Sequence, residues 1–178
     1  VIEGMLATAA PTLVVMDGDM QHDEAILPKL IDAVASGDAE MAIGTRYAEG
    51  GGVGDWDKKR LWISQLATRA GQWALGTTVN DPMSGFFALR REAFHRALPK
   101  LSAIGYKILL DILASSPTPL KVAEIPYHFR NREAGESKIG ARVIAEYAEM
   151  IAEKTIGRYV PVRLLKFLMV GGLGVFVH

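Results

Sequence analysis

The chain has 178 residues, of which 49% are hydrophobic and 22% charged, so it can bury one sizeable core and is neither disordered nor collagen-like. Its 20 basic and 20 acidic residues balance, and net charge therefore gives no reason to expect a nucleic-acid partner. The absence of cysteine excludes a disulfide framework, a thiolate nucleophile and a metal site with sulfur ligands. We expect one globular domain.

The first apolar segments predict a strand, a helix and a second strand. The run TLVVM at 12–16 is typical of a buried strand, and Asp17 follows at its carboxyl end, where open α/β sheets bind ligands. Apolar residues at helical spacing then predict a helix that follows an N-cap at Asp23 and ends at Gly37, with a second strand at 40–44. This order predicts a parallel sheet with right-handed crossovers.

The later segments continue this α/β pattern up to residue 160. The glycine-rich stretch EGGGVG at 49–54 predicts a mobile loop that is able to close over a ligand. Strands are predicted at 86–89 and 121–125, and helices at 58–75, 106–114 and 139–156.

Residues 161–178 form a separate C-terminal segment. The run FLMVGGLGVFV at 167–177 is uncharged, and basic residues stand just before it. A membrane span needs roughly 20 residues, so the run predicts the start of a transmembrane helix, with the preceding domain on the cytoplasmic side. A buried core helix is the alternative. Because the chain begins at Val1, without methionine or a signal peptide, we expect it to be part of a longer protein.

The motif Asp17-Gly18-Asp19 carries the sharpest chemical signal. Two carboxylates one residue apart after a strand can direct oxygens at one hard cation, which in turn neutralises a nucleotide diphosphate. An acidic turn that only caps the next helix is one alternative. A haloacid-dehalogenase-like phosphatase is another, with Asp17 as nucleophile and Asp19 as acid/base, but Met20 stands where that class has Thr or Val.

Two basic groups are suited to phosphates. Arg46 follows a predicted strand, and Arg60 and Ser64 lie four residues apart on one face of a predicted helix, so the three can surround a phosphate monoester. Arg132 and Lys138 precede the last predicted helix, whose N-terminus adds a favourable dipole for a diphosphate. A solvated basic segment is the alternative in both places.

Asp81 begins the turn DPMSGFF, which leads into the strand at 86–89. A proline turn fixes the carboxylate, which can then accept a hydrogen bond from a sugar hydroxyl. A purely local role, in which Asp81 and Ser84 stabilise their own turn, is equally open.

The motifs together are more specific than any of them alone. The motifs are, in chain order, DGDMQHD, GTRY, KKRLWIS, NDPMSGFFALRR and REAGESKIG, and an apolar tail with basic residues before it follows them. This arrangement closely resembles dolichol-phosphate mannose synthases and related bacterial polyprenyl-phosphate glycosyltransferases of family 2. The resemblance covers most of 11–158 and implies the α/β GT-A (Rossmann-like) fold. The tail from Arg163 looks like the start of a GtrA-like membrane module, which makes 161–178 a separate unit from the partial catalytic domain at 1–160.

The resemblance has one departure. The family begins with a strand and a PxYNE-type segment that form much of the nucleotide-base pocket, and nothing like them precedes Pro11. The resemblance therefore implies that the GT-A domain is N-terminally truncated in this chain.

On the donor side, the resemblance implies a metal site. Asp17, Asp19 and Gln21 would bind Mg2+ or Mn2+ together with the diphosphate of the nucleotide sugar. Arg132 and Lys138 would contact the same phosphates.

On the acceptor side, the resemblance implies that Arg46, Arg60 and Ser64 hold a lipid phosphate, while Asp81 faces the sugar. The residues expected to take part in catalysis are then Asp17, Asp19, Asp81 and Arg132.

The reaction implied is an inverting transfer of a sugar, with mannose from GDP-mannose favoured, to dolichyl or polyprenyl phosphate at the cytoplasmic face of a membrane. A phosphate monoester is largely dianionic at neutral pH, so its attack on the sugar needs no protein base. Three alternatives remain: a polyprenyl-phosphate glucosyltransferase that uses UDP-glucose, the phosphatase, and a membrane scaffold without catalytic activity.

Overall fold

The computed structural model describes residues 1–52, 58–76, 78–102, 107–130 and 141–157, and the separate positions 160, 162, 164, 167, 168, 170 and 171. Its helices are α1 (Ile2–Leu6), α2 (Leu27–Ala35), α3 (Lys58–Leu75), α4 (Arg91–Ala97), α5 (Ile108–Ser115) and α6 (Ala141–Thr155). Its strands are β1 (Thr12–Met16), β2 (Met41–Thr45), β3 (Phe86–Arg90) and β4 (Val122–Pro126). Every strand and helix predicted up to residue 156 is confirmed to within about two residues, as expected from differences in end assignment, whereas α1 and α4 were not predicted.

The four strands form one mixed sheet in the order β1-β3-β2-β4. β3 runs antiparallel to both β1 and β2, and only β2 and β4 pair in parallel. The prediction of a parallel sheet was therefore wrong for β3. The run Phe86 to Leu89 is fully buried, which favours a central position between two strands, and it separates β1 from β2.

β1 is also less buried than its apolar sequence suggested. Among the described strands β3 is its one neighbour in the sheet, and Val14 and Met16 are 38% and 48% exposed, while Leu13 is 4% exposed. The prediction of a buried strand holds for one face of β1 only.

The sheet separates two hydrophobic layers, as the alternation of side chains along a strand requires. One layer joins the sheet to α1, α4 and α5, with Leu13, Met41, Ile43, Phe87, Leu89, Phe94 and Ile112. The other joins it to α2 and to the segment after β4, with Leu30, Val34, Ala42, Phe86, Tyr127 and Phe129.

The part of the glycine-rich loop that the structure describes is attached to the segment after β4. Gly52 forms a parallel bridge with His128, and its backbone bonds to Tyr127 O and Phe129 N at 3.1 and 2.8 Å. Residues 53 and 54 lie outside the described residues, so closure of the loop over a ligand stays a prediction.

Among the residues that the structure describes, none of the helices combines the length and apolar character that a bilayer span requires. Most of the apolar run at 167–177 lies outside them. The start of a transmembrane helix, and with it the separate unit at 161–178, stays a prediction.

Candidate active site

Asp17 is the first residue after β1, at the edge of the sheet where the loops meet. Its backbone N–H donates to Gly85 O at 3.0 Å, and its side chain is 64% exposed. A Cβ built on Gly85 would overlap Asp17 Oδ2, so the carboxylate rests against a position that has no side chain. Gly85 was not recognised from the sequence, although a glycine at the start of a strand often marks such a close approach.

The next residues turn the chain sharply. Asp19 Oδ1 accepts a hydrogen bond from Gln21 N at 3.2 Å. Met20 between them has φ of 61°, a left-handed conformation that is uncommon for residues other than glycine. Such local strain is found at functional sites more often than elsewhere, and here it lies inside the predicted metal motif.

Gln21 is buried and tied to the segment that precedes residues 131–140. Its Nε2 donates to Arg130 O at 3.0 Å, and Arg130 N donates to Gln21 O at 2.8 Å. Arg130 also pairs with Asp23 and Glu24, at 2.9 Å each. These bonds fix which way the Gln21 amide points.

The predicted metal ligands are hard oxygen donors, two carboxylates and one amide, which suit Mg2+ or Mn2+. In the described part of the chain, no cluster of three or more His, Cys, Asp and Glu side chains could hold a metal ion. Mg2+ usually keeps several water molecules among its ligands, so two carboxylates and one amide suit it without further protein ligands.

Arg46, directly after β2, forms a buried pair with Asp81. Its Nε donates to Asp81 Oδ2 at 2.7 Å and its Nη2 donates to Asp81 Oδ1 at 2.8 Å, with side-chain exposures of 12% and 0%. The guanidinium also lies 5.3 Å from the ring centres of both Tyr47 and Phe129. Burial pushes the pKa of Arg46 down, but the hydrogen bonds and the negative charge of Asp81 outweigh it and hold the pKa above its usual value.

Lys107, the residue before α5, is a further cation in the same region. Burial lowers its pKa most, repulsion from Arg46 lowers it further, and the charges of Asp17 and Asp81 partly offset both effects. Lys107 thus lies close enough to Arg46, Asp17 and Asp81 for their charges to affect its pKa. No motif in the sequence marks Lys107.

Four predicted site residues have side chains that are not described. Arg60 and Ser64 lie in the first two turns of α3, where their four-residue spacing puts them on one helix face. Arg132 and Lys138 lie outside the described residues. The structure thus brings Asp17, Asp19, Gln21, Arg46 and Asp81 to the same edge of the sheet, and the roles of all the predicted site residues stay predictions.

Residues 1–98 match the protein family described as "Glycosyl transferase family 2". The chain belongs to glycosyl transferase family 2. Membership in this family supports the predicted glycosyltransferase rather than the phosphatase or the non-catalytic scaffold.

Curated relatives of this family 2 chain have consistent names. It is 39% identical to the dolichol-phosphate mannosyltransferase of Pyrococcus furiosus, over 100% of this chain and 50% of that protein. It is 33% identical to the dolichol-phosphate mannosyltransferase of Saccharomyces cerevisiae, over 94% and 64%. It is 36% identical to the polyprenol monophosphomannose synthase of Mycolicibacterium smegmatis, over 79% and 54%. The chain thus spans between half and two thirds of the length of these relatives.

Solved structures show the fold. Glucosyl-3-phosphoglycerate synthase from Mycobacterium tuberculosis, in complex with Mn2+, UDP-glucose and phosphoglyceric acid, matches 86% of this chain and 52% of its own, with a TM-score of 0.61. At 16% identity this likeness concerns the fold alone. The family 2 chain has a GT-A-like glycosyltransferase fold with a mixed α/β sheet.

Proposed function

We propose that the protein carrying this chain transfers mannose from GDP-mannose to dolichyl or polyprenyl phosphate, with inversion, at the cytoplasmic face of a membrane. The observation that carries the proposal is the acidic motif after β1, in which Asp17 rests against Gly85, at the end of the turn that begins with Asp81, the buried partner of Arg46. The names of the relatives, which include two dolichol-phosphate mannosyltransferases, support the acceptor and the sugar.

On the donor side, Asp17, Asp19 and Gln21 would hold Mg2+ or Mn2+. When bound, such an ion neutralises the charge that develops on the leaving diphosphate. The protein's own part is to fix these donors: Asp17 rests against Gly85, and the backbone of Arg130 orients the Gln21 amide. Solved structures with the same fold are described in complex with Mn2+ or Mg2+ and a uridine nucleotide, which supports a divalent cation in general.

Arg132 and Lys138 would contact the donor phosphates. The chain reaches them directly after Arg130, whose backbone pairs with Gln21. The connection supports the proposal, because it ties the segment that carries the two cations to the metal motif.

On the acceptor side, Arg46, Arg60 and Ser64 would bind the lipid phosphate, and Asp81 would lie near the sugar. Asp81 fixes the plane of the Arg46 guanidinium through two hydrogen bonds, so this cation is already oriented before a ligand arrives. The acceptor dianion would attack the anomeric carbon from the side opposite the diphosphate, which inverts the configuration.

Exposed apolar side chains on α3 support contact with a membrane. Leu66 and Trp73 lie seven residues apart, and so on one helix face, and are 52% and 88% exposed. Tryptophan is favoured at the boundary between lipid and water.

We further propose that earlier strands cover the open edge of β1, and that the segment after 160 begins a GtrA-like membrane module.

The test is transfer of radiolabelled mannose from GDP-mannose to polyprenyl phosphate by the natural full-length protein in membranes. We expect labelled lipid that requires Mn2+ or Mg2+ and is lost in Asp19→Ala. Asp32→Ala, which removes an exposed carboxylate on α2, is the matched control and should stay active. Labelling from UDP-glucose instead would assign the alternative donor, and no labelling from either donor would contradict the proposal.

A further inference from the structure

We propose that His22 is a positioning residue for Asp17, and that its imidazole, fixed by Tyr127, keeps the Asp17 carboxylate in the orientation that binds a divalent cation. The inference rests on the proposed function, because it concerns how Asp17 is presented to the metal. No pattern in the sequence distinguishes His22 from a surface or structural histidine.

The first observation is the position of the ring. His22 is 5% exposed, whereas the Asp17 side chain beside it is 64% exposed. His22 Nε2 lies 3.8 Å from Asp17 Oδ2, which is longer than a hydrogen bond but close enough for electrostatic attraction. An exposed carboxylate rotates freely unless a neighbour restrains it, and a ligand group must be held close to its productive geometry.

The second observation is that the ring itself is fixed. Tyr127 Oη lies 2.7 Å from His22 Nδ1, and the ring centres of Phe86 and Phe129 lie 5.4 and 5.3 Å from the imidazole centre. Burial raises the pKa of Tyr127, so its hydroxyl stays protonated and can donate. When it donates to Nδ1, the ring hydrogen of a neutral His22 is on Nε2, which faces Asp17.

Gly85 sets another boundary for the same carboxylate. A Cβ at this position would overlap both Asp17 Oδ2 and Asp17 Cγ, so only glycine leaves room for this rotamer. Asp17 is thus bounded by the backbone of Gly85 and by the imidazole of His22. Partners outside the ligand set often have this role in metal sites, where their loss weakens binding by about 10- to 100-fold.

The experiment measures direct Mn2+ binding at fixed pH, by the electron paramagnetic resonance signal of free Mn2+, in the natural full-length protein. We expect His22→Leu, which fills the space without a polar atom, to weaken Mn2+ binding about tenfold. His22→Gln can return an amide N–H toward Asp17 and should lose less affinity than His22→Leu. Thermal unfolding of each variant without metal shows whether it is folded.

Tyr127→Phe provides a milder variant, because it keeps the ring and removes only the hydroxyl. We expect it to weaken Mn2+ binding about threefold, the effect of one hydrogen bond. Tyr147→Phe is its matched control, since it removes a hydroxyl that donates to Ala67 O between two helices, and should leave Mn2+ affinity unchanged.

The outcomes separate this inference from the proposed function. Unchanged Mn2+ affinity in folded His22→Leu would overturn the inference alone, and if that variant does not fold, unchanged affinity in Tyr127→Phe would do the same. If the unaltered protein binds no Mn2+, the metal site of the proposed function fails first, and the inference fails with it.

Discussion

Asp81 and Asp111 are both shielded from solvent, at 0% and 2% exposure, and each pairs with a basic side chain. Asp81 accepts two hydrogen bonds from Arg46, which directly follows β2, and Asp81 itself lies in the turn before β3. Asp111 lies in α5 and pairs with Lys154 of α6, 2.7 Å away. The two pairs have similar chemistry but lie in different parts of the fold.

The difference lies in what each basic side chain fixes. A guanidinium is a rigid planar fork, and two bonds to one carboxylate set its orientation, whereas an ammonium is a point charge on a flexible chain. Lys154 bonds to Ser115 Oγ and Asp111 accepts bonds from Ser102, so this pair joins α6, α5 and the segment between α4 and α5. The Asp81 pair orients a cation at the candidate site, and the Asp111 pair attaches a helix.

The largest effect that we expect comes from breaking the attachment of α6. In Lys154→Met, the Asp111 carboxylate stays buried without its cation, and the free energy of unfolding should fall by about 3 kcal/mol. Urea titration of the full-length protein measures this loss. The rate of mannose transfer per folded molecule should not change, and a large loss of rate without a loss of stability would contradict the comparison.

The matched control is the double variant Asp111→Asn with Lys154→Met. The neutral amide that replaces the carboxylate can still accept from Ser102 but carries no charge that needs a partner, so more than half of the lost stability should return.

The next effect is on the rate of transfer. In Asp81→Asn, one end of the side chain becomes an N–H donor that faces the donors of Arg46, so the guanidinium loses its bidentate partner. We expect transfer to fall about 100-fold, as when a catalytic group is misplaced by about 1 Å. The same isotopic assay measures it. Asp111→Asn, the equivalent change in the other pair, should keep its rate per folded molecule, and equal losses in both variants would remove the distinction.

The sequence predicts the strands and the longer helices because their apolar runs and helical spacing are local signals. It does not predict the sheet order, since the insertion of β3 between β1 and β2 depends on contacts between residues far apart in the chain. The run FFAL predicts a short buried strand, but it does not indicate whether the neighbouring strands run parallel or antiparallel to it. The helices α1 and α4, with 5 and 7 residues, are too short to show a clear period.

The candidate site also contains residues that the sequence predicts and contacts that only the folded structure reveals. The sequence predicts Asp17 and Asp19 as site residues because their motif stands after a strand, and it predicts Arg46 because this residue stands at the end of the next strand. The pairing of Arg46 with Asp81, separated by 35 residues, and the proximity of Lys107 arise only from folding. The reason for a glycine at position 85 is visible only in the folded structure, where the Asp17 carboxylate rests against it.

The smallest effect on stability that we expect comes from an uncharged contact of α6, which can be compared with the charged Asp111–Lys154 pair on the same helix. Tyr147 Oη of α6 donates to Ala67 O of α3 at 2.6 Å, and burial raises its pKa from 10.0 to about 12. Tyr147→Phe should lower the free energy of unfolding by about 1 kcal/mol at neutral pH, less than Lys154→Met, because one uncharged hydrogen bond is lost.

The pH dependence of Tyr147→Phe follows from the same pKa. A phenol whose pKa is higher in the folded than in the unfolded protein contributes its full stability below pH 10 and loses it as pH rises toward 12. The unaltered protein should therefore lose stability more steeply than Tyr147→Phe across that range, and denaturant titrations at several pH values measure the two slopes. Equal slopes would mean that Tyr147 ionises as easily in the folded protein as in the unfolded one. In that case the α3–α6 contact does not shield the phenol, and the charged Asp111–Lys154 pair would be the stronger attachment of α6 by an even wider margin.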